Sequence, residues 1–274
     1  MPSVLITGCS SGIGLSTAIL LKEQGFTVFA TARKEEDVLK LKNLGFTSYL
    51  LDVTKHDTIN KTLQEILEVT KGTLDIVFNN AGFGQPGAVE DLKTEVLKNQ
   101  FETNVFGLHE LTQAVIPIMR KQGHGKIIQH SSVLGLISLK YRGAYNASKY
   151  AIEGLTDTLR LELEGSNIFV SLLNTGPIKS HFRQNALAMF KKNIDANSSF
   201  HKADYEKQLS ERLNSKEATV PFTLEPIAVS NIVLKIINSS RPRPRYYITN
   251  ATHILGFLKR ILPTRWLDLI LKRM

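Results

Sequence analysis

The stretch ITGCSSGIGLS, residues 6–16, sets three glycines and three serines directly after the apolar run SVLIT at residues 3–7. The glycines Gly8, Gly12 and Gly14 fall in a GxxxGxG spacing. At Gly8 a residue without Cβ lets the chain turn off a strand. At Gly12 it brings backbone N–H groups at a helix start close to a diphosphate, and at Gly14 it lets helix and sheet pack closely. Ser10 and Ser11 add hydroxyl donors and a helix cap, and Ile13 shares the same turn. Cys9, the single cysteine, reads as a small residue fitted to a tight loop. It cannot form an internal disulfide, which suits a reducing compartment.

Working outward, apolar β-rich runs recur at residues 26–31, 46–51, 74–78, 126–130, 168–173 and 245–249, with helical patterns between them. Near-continuous apolar strands of this kind belong to a parallel sheet covered on both faces, and the intervening segments are long enough for right-handed crossover helices. The expected fold is one doubly wound α/β domain with a parallel sheet of about seven strands over residues 1–250. Between residues 178 and 222 the rhythm lapses into a mixed segment carrying Phe182, Leu187, Met189, Phe190 and Phe200, placed where such a fold carries a substrate lid. Residues 251–274 form an amphipathic helical tail packed on the domain or on a membrane.

The chain of 274 residues is 42% hydrophobic, ample for a buried core, and carries a formal charge of +9. Arg241 to Met274 holds eight Lys or Arg against Asp268 alone. With apolar residues between the charges, an anionic membrane surface suits this tail better than nucleic acid. After Thr264 as an N-cap, Leu267, Ile270, Leu271 and Met274 share a helical face with Trp266 at its edge. Such a helix either lies in a membrane interface, closes the substrate pocket or makes a subunit contact. A strand starting at Ser3 leaves no room for a secretion signal, so the expected location is cytoplasmic with peripheral membrane association. No metal site is expected.

Three further motifs follow the glycines. NNAG, Asn79 to Gly82, closes the fourth strand beside the first; Ser132 follows the fifth; and YNASK sets Tyr145 and Lys149 on one helix face. Together with the Asn of ETNVFG, these resemble the signature of the short-chain dehydrogenase/reductase family over roughly Ser3 to Ser240, and more narrowly the branch with hydroxysteroid dehydrogenases, retinol dehydrogenases and bacterial NADP-dependent aldehyde reductases. The resemblance implies a Rossmann fold, a homo-oligomer and hydride transfer between a nicotinamide and a carbonyl or alcohol carbon. It makes Tyr145 the general acid or base, whose pKa Lys149 lowers together with the positive nicotinamide of the oxidised cofactor, Lys149 also a holder of the ribose, Ser132 the donor to the substrate oxygen, and Asn104 part of a water-mediated proton relay.

An NAD site places an acid at the end of the second strand, but FTVFATARK has none before Glu35. Arg33 and Lys34 stand there instead, where a guanidinium grips a 2′-phosphate, so the expected cofactor is NADP(H). Asp52, with Val53 beside it, is expected at the adenine, and Asn80, Ala81 and Gly82 at the cofactor-facing strand end. In TGPIKS, Thr175 and Ser180 replace the family's proline and threonine, which alters the contacts of Gly176, Ile178 and Ser180 with the nicotinamide amide. The apolar lid favours a small lipophilic substrate. The competing classes are a catalytically idle NADP sensor and a membrane-surface lipid-binding protein.

Overall fold

The computed structural model describes residues 1–210 and 221–274. Seven strands, β1 (Ser3–Ile6), β2 (Thr27–Ala32), β3 (Thr47–Leu50), β4 (Ile76–Asn79), β5 (Gly125–Ser132), β6 (Ile168–Thr175) and β7 (Arg245–Tyr247), form one sheet in the order β3-β2-β1-β4-β5-β6-β7. Every pairing is parallel. The strand order reverses between β1 and β4, which creates the crevice where such sheets bind ligands.

The pleat divides one strand between two cores. Val4 and Ile6 enter an apolar layer with Ala18 and Leu21 of α1 (Gly12–Glu23), Leu41 of α2 (Glu35–Asn43) and Val233 of α8 (Pro226–Asn238). Leu5, pointing the other way, joins Ile59 and Ile66 of α3 (His56–Thr70) and Leu111 and Val115 of α5 (Gly107–Gln122). Strands buried on both faces explain why the sequence shows continuous apolar runs rather than alternation. Between α4 (Thr94–Phe101) and α5 the backbone widens into a π-helical turn, Glu102–Phe106, which carries Asn104. The long helix α6 (Gly143–Glu162) carries Tyr145 and Lys149.

The segment after β6 contains the helix α7 (Phe182–Asn193). Phe190 and Ala186 of α7, with Ile194, pack against Ala88 and Tyr205. The Ala88 amide donates to the Tyr205 hydroxyl at 2.7 Å, and Asn193 Nδ2 to Gln85 Oε1 at 2.7 Å. The segment is thus fastened across the loop that follows NNAG; Phe200 is 92% exposed and takes no part. The stretch 211–220 of the expected lid lies outside the described residues.

The C-terminal helices α9 (Asn250–Ile261) and α10 (Thr264–Leu271) rest on the domain through a cluster of Ile137, Leu255 and Leu267, with Val133, Leu134, Leu258, Leu262 and Leu271 around it. Two sequence expectations change here. Pro263, not Thr264, occupies the N-cap position of α10. The single apolar face divides, because Leu267 is buried and Leu271 packs inward while Trp266, Ile270 and Met274 are exposed. Among the described residues no helix is long and apolar enough to cross a membrane.

Candidate active site

The ends of β1, β4, β5 and β6 meet α6 at the switch point. Off β1 the backbone turns through Gly8 and Gly12, whose φ angles of +71° and +59° lie in the left-handed region that favours glycine. A Cβ on Gly14 would stand 2.3 Å from the Gly8 carbonyl oxygen, so only glycine lets α1 seat on this turn. NNAG holds the turn from the next strand: Asn80 Nδ2 donates to the carbonyls of Thr7 (2.9 Å) and Gly8 (3.2 Å), and the Asn80 and Ala81 amides donate to Thr7 Oγ1. Ser11 stands at the N-cap with extended backbone but, against expectation, its hydroxyl makes no capping bond. The first-turn N–H groups of α1, at the positive end of the helix dipole, remain available to an anion. Ser180 lies across the same turn, with its Cβ 3.3 Å from where a Gly12 Cβ would be. Ser10 is exposed and Ile13 packs against the core beside it. A Cβ-free cradle at an uncapped helix N-terminus fits the diphosphate of a dinucleotide.

Arg33 is exposed immediately past β2, and Lys34 next to it pairs with Glu36 at 3.3 Å. Asp52, past β3, accepts from the Thr54 amide (3.1 Å) and hydroxyl (2.8 Å). Val53 is buried, its carbonyl oxygen 2.3 Å from where a Gly107 Cβ would be. At the end of β6, a Cβ on Gly176 would stand 2.0 Å from Thr249 Oγ1. Ile178 forms an isolated bridge with Leu224, which ties the start of the lid segment to its end.

Ser132 is the last residue of β5 rather than the first beyond it, and its hydroxyl accepts from the Leu134 amide at 3.1 Å. Tyr145 lies beside it in the first turn of α6. The ring of Phe182, from the lid, meets the Tyr145 ring edge-on at 5.4 Å. Lys149 Nζ lies 5.5 Å from the Tyr145 ring centroid and donates to the His130 carbonyl at 2.6 Å. Burial brings the Lys149 ammonium down to about 8, against the opposing pull of Glu153. Burial pushes the Tyr145 phenol up to about 12, with the Ser132 hydroxyl pulling the other way. The expected lowering of the phenol belongs to the complex with the oxidised cofactor; in the protein alone, loss of hydration sets the direction. Asn104 is buried; its amide donates to the Phe83 carbonyl (3.0 Å) and Ser148 Oγ (3.1 Å) and accepts from the Phe83 amide (3.1 Å). It braces α6 against the loop after NNAG.

Two further groups escape a reading by motif. Glu153, two turns along the Tyr145 face of α6, accepts from Ser131 Oγ, from Asn174 Nδ2 at 2.7 Å and from both Nε and Nη2 of Arg245. His130 bridges neighbouring strand ends: Nδ1 is 3.0 Å from Asn80 Oδ1 and Nε2 is 3.2 Å from Thr175 Oγ1. Since Asn80 Nδ2 is committed to carbonyls, Oδ1 faces the ring, so Nδ1 carries the proton and Nε2 accepts from Thr175. The departure at Thr175 thus has a partner inside the sheet.

Burial, and then the Lys149 charge, hold His130 down at about 3. Between pH 6.5 and about 3 the unfolded chain binds a proton there that the folded chain does not. Stability therefore rises with pH across this window and is lost on acidification, by up to ~1.4 kcal/mol per pH unit. Replacing His130→Gln is expected to flatten that acid-side slope in urea unfolding measured as a function of pH. Parallel slopes for the two proteins would show that another group carries the acid sensitivity.

Comparison with known proteins gives the arrangement its relatives. A family model described as short chain dehydrogenase matches residues 2–190. The chain is 40% identical over 270 residues to an uncharacterized oxidoreductase, YbbO, of Escherichia coli strain K12, covering 98% of this chain and 94% of that one. It is 30% identical over 260 residues to human 17-beta-hydroxysteroid dehydrogenase type 1, covering 90% and 77%. A short chain dehydrogenase/reductase from Burkholderia phymatum, solved in complex with NAD, superposes with a TM-score of 0.77 at 25% identity over 99% of this chain and 95% of that one. The chain belongs to the short chain dehydrogenase family and is an oxidoreductase.

Proposed function

We propose that the protein is an NADP(H)-dependent oxidoreductase acting on the carbonyl or alcohol group of a lipophilic small molecule, with Tyr145 as general acid and base. The observation that carries this reading is the placement of Ser132, Tyr145 and Lys149 together at the switch point, under the aromatic ring of Phe182. When bound, the nicotinamide supplies the hydride. The chain's own part is to place the substrate oxygen and its proton. Ser132 Oγ donates to that oxygen and fixes it beside the phenol. Tyr145, protonated in a buried site, gives its proton to the oxygen as negative charge develops there. Lys149 contributes positive charge one turn away and would hold the nicotinamide ribose.

The preference for NADP(H) rests on Arg33, an exposed guanidinium at the end of β2 with no acid before Glu35. A bidentate Arg–phosphate bond is charge-assisted on both sides. Losing a hydrogen bond to a charged group costs about 1.5–3 kcal/mol, so Arg33→Ala is expected to lower kcat/KM for NADPH roughly tenfold to a hundredfold while leaving that for NADH unchanged. The measurement is oxidation of NADPH and of NADH against aldehydes, ketosteroids and retinal. Equal losses with both nucleotides would remove the 2′-phosphate assignment, and a lack of turnover despite intact nucleotide binding would favour a sensor over an enzyme.

A lipophilic substrate is supported by Phe182 above Tyr145, by the apolar anchoring of the lid and by similarity to a hydroxysteroid dehydrogenase. Exposed Phe106, Leu155 and Leu161 on or beside the long helices α5 and α6 support association of the chain with itself.

A further inference from the structure

The two C-terminal helices are apolar on both sides. α9 and α10 each turn one face onto the cluster of Ile137, Leu255 and Leu267. Their opposite faces carry Ile254, Phe257 and Ile261 on α9, and Trp266, Leu269 and Ile270 on α10, all exposed; Phe257 is 61% exposed and Trp266 64%. Because both helices rest on one cluster, both outward faces look away from the same body. Single exposed hydrophobes are ordinary, but six of them between residues 254 and 270, on two helices resting on one cluster, are a concentration of the kind that marks an interaction surface. The same C-terminal segment carries the exposed cations Lys259, Arg260, Arg265, Lys272 and Arg273, with Asp268 the only acid between residues 250 and 274.

We propose that the outward faces of α9 and α10 dock on an anionic lipid surface, the apolar side chains entering the acyl boundary and the cations meeting the headgroups. The two helices are short, and no described helix can span a bilayer, so the attachment lies in the interface. Charge decides the occupant. A second copy using the same patch would set five cations opposite five more, a juxtaposition that opposes association, whereas an anionic bilayer attracts each of them. The supporting cluster includes Val133 and Leu134, directly after Ser132. Docking therefore brings the bilayer surface to the flank of the candidate active site.

Trp266 is the only tryptophan, so emission from the full-length protein reports this surface alone. The protein is mixed with vesicles of phosphatidylcholine alone or of phosphatidylcholine with phosphatidylglycerol. The expected result is a blue shift and cosedimentation with the phosphatidylglycerol vesicles, both weakening as salt rises. Arg265→Gln combined with Lys272→Gln should lower partitioning about fivefold for each cation removed. Phe257→Ser combined with Leu269→Ser, at exposed positions outside the active site, should abolish cosedimentation with melting temperature and turnover of a water-soluble aldehyde unchanged. Unshifted emission, or cosedimentation that survives both double variants, overturns the proposal. So does a vesicle-independent dimer in analytical ultracentrifugation that the Phe257→Ser, Leu269→Ser variant dissolves, which assigns the patch to a second copy.

Discussion

Replacing Tyr145→Phe is expected to lower turnover about a thousandfold, within the ~10²–10⁴ range that a positioned acid or base contributes, while NADPH affinity changes little. Phenylalanine keeps the ring that meets Phe182 edge-on at 5.4 Å, so the lid contact survives and only the proton is lost. The height of the phenol pKa, about 12 in the protein alone, decides the pH behaviour. Reduction needs the protonated phenol, so it should stay level through neutral pH and fall only as the pH climbs toward that value. Lys149, at about 8, begins to lose its charge earlier, and with it the field that favours the phenolate. Oxidation of an alcohol needs the phenolate and should rise with pH instead. Opposite alkaline limbs for the two directions, both missing in the Phe variant, are the signature. Turnover within a few-fold of the parent would remove Tyr145 from the proton transfer.

The motifs were readable because each depends on short-range geometry. Gly14 must be glycine since any Cβ would meet the Gly8 carbonyl oxygen at 2.3 Å, and Tyr145 and Lys149 share a helix face at a spacing visible in one dimension. The pairing of β4 beside β1 was readable because the two strands end in the small and amide residues of a crevice. The strand-end bridging was not. His130 links Asn80 to Thr175 across 50 and 45 residues of sequence, and Glu153 meets Arg245 across 92. Nothing near His130 or Glu153 in the chain signals those partners. The rise of the phenol pKa in the protein alone was not legible for a related reason. Spacing showed the lysine, but only the fold shows how much water the site excludes. The tail was half legible: its apolar period was plain, yet two apolar stripes on one helix cannot be told from one broad face until Leu267 is seen buried and Trp266 exposed.

Glu153→Ala is expected to destabilise the fold by about 3 kcal/mol, at the lower end of what breaking a buried ion pair costs. Glu153 is 7% exposed and holds four donors from three strands: Ser131 of β5, Asn174 of β6, and Nε and Nη2 of Arg245 in β7. Removing the carboxylate leaves the Arg245 guanidinium with Asp157 alone, at 2.6 Å, and deprives the Asn174 amide of an acceptor in the core. That retained partner, and the partial exposure of Arg245, keep the cost from the top of the range. The loss should extend to chemistry, since Ser131 and Asn174 flank Ser132 and Thr175, and the Glu153 charge is what holds the Lys149 ammonium from falling further. Glu153→Gln separates the two effects. The amide retains shape and much of the hydrogen bonding, so it should recover about half the stability. Without the negative charge, however, Lys149 should titrate lower still, the field that favours the phenolate is lost at lower pH, and the alkaline limb along which alcohol oxidation rises should move to higher pH. Urea unfolding and the pH dependence of kcat, measured on both variants, distinguish this from a role in packing alone, which would leave the limb where it was.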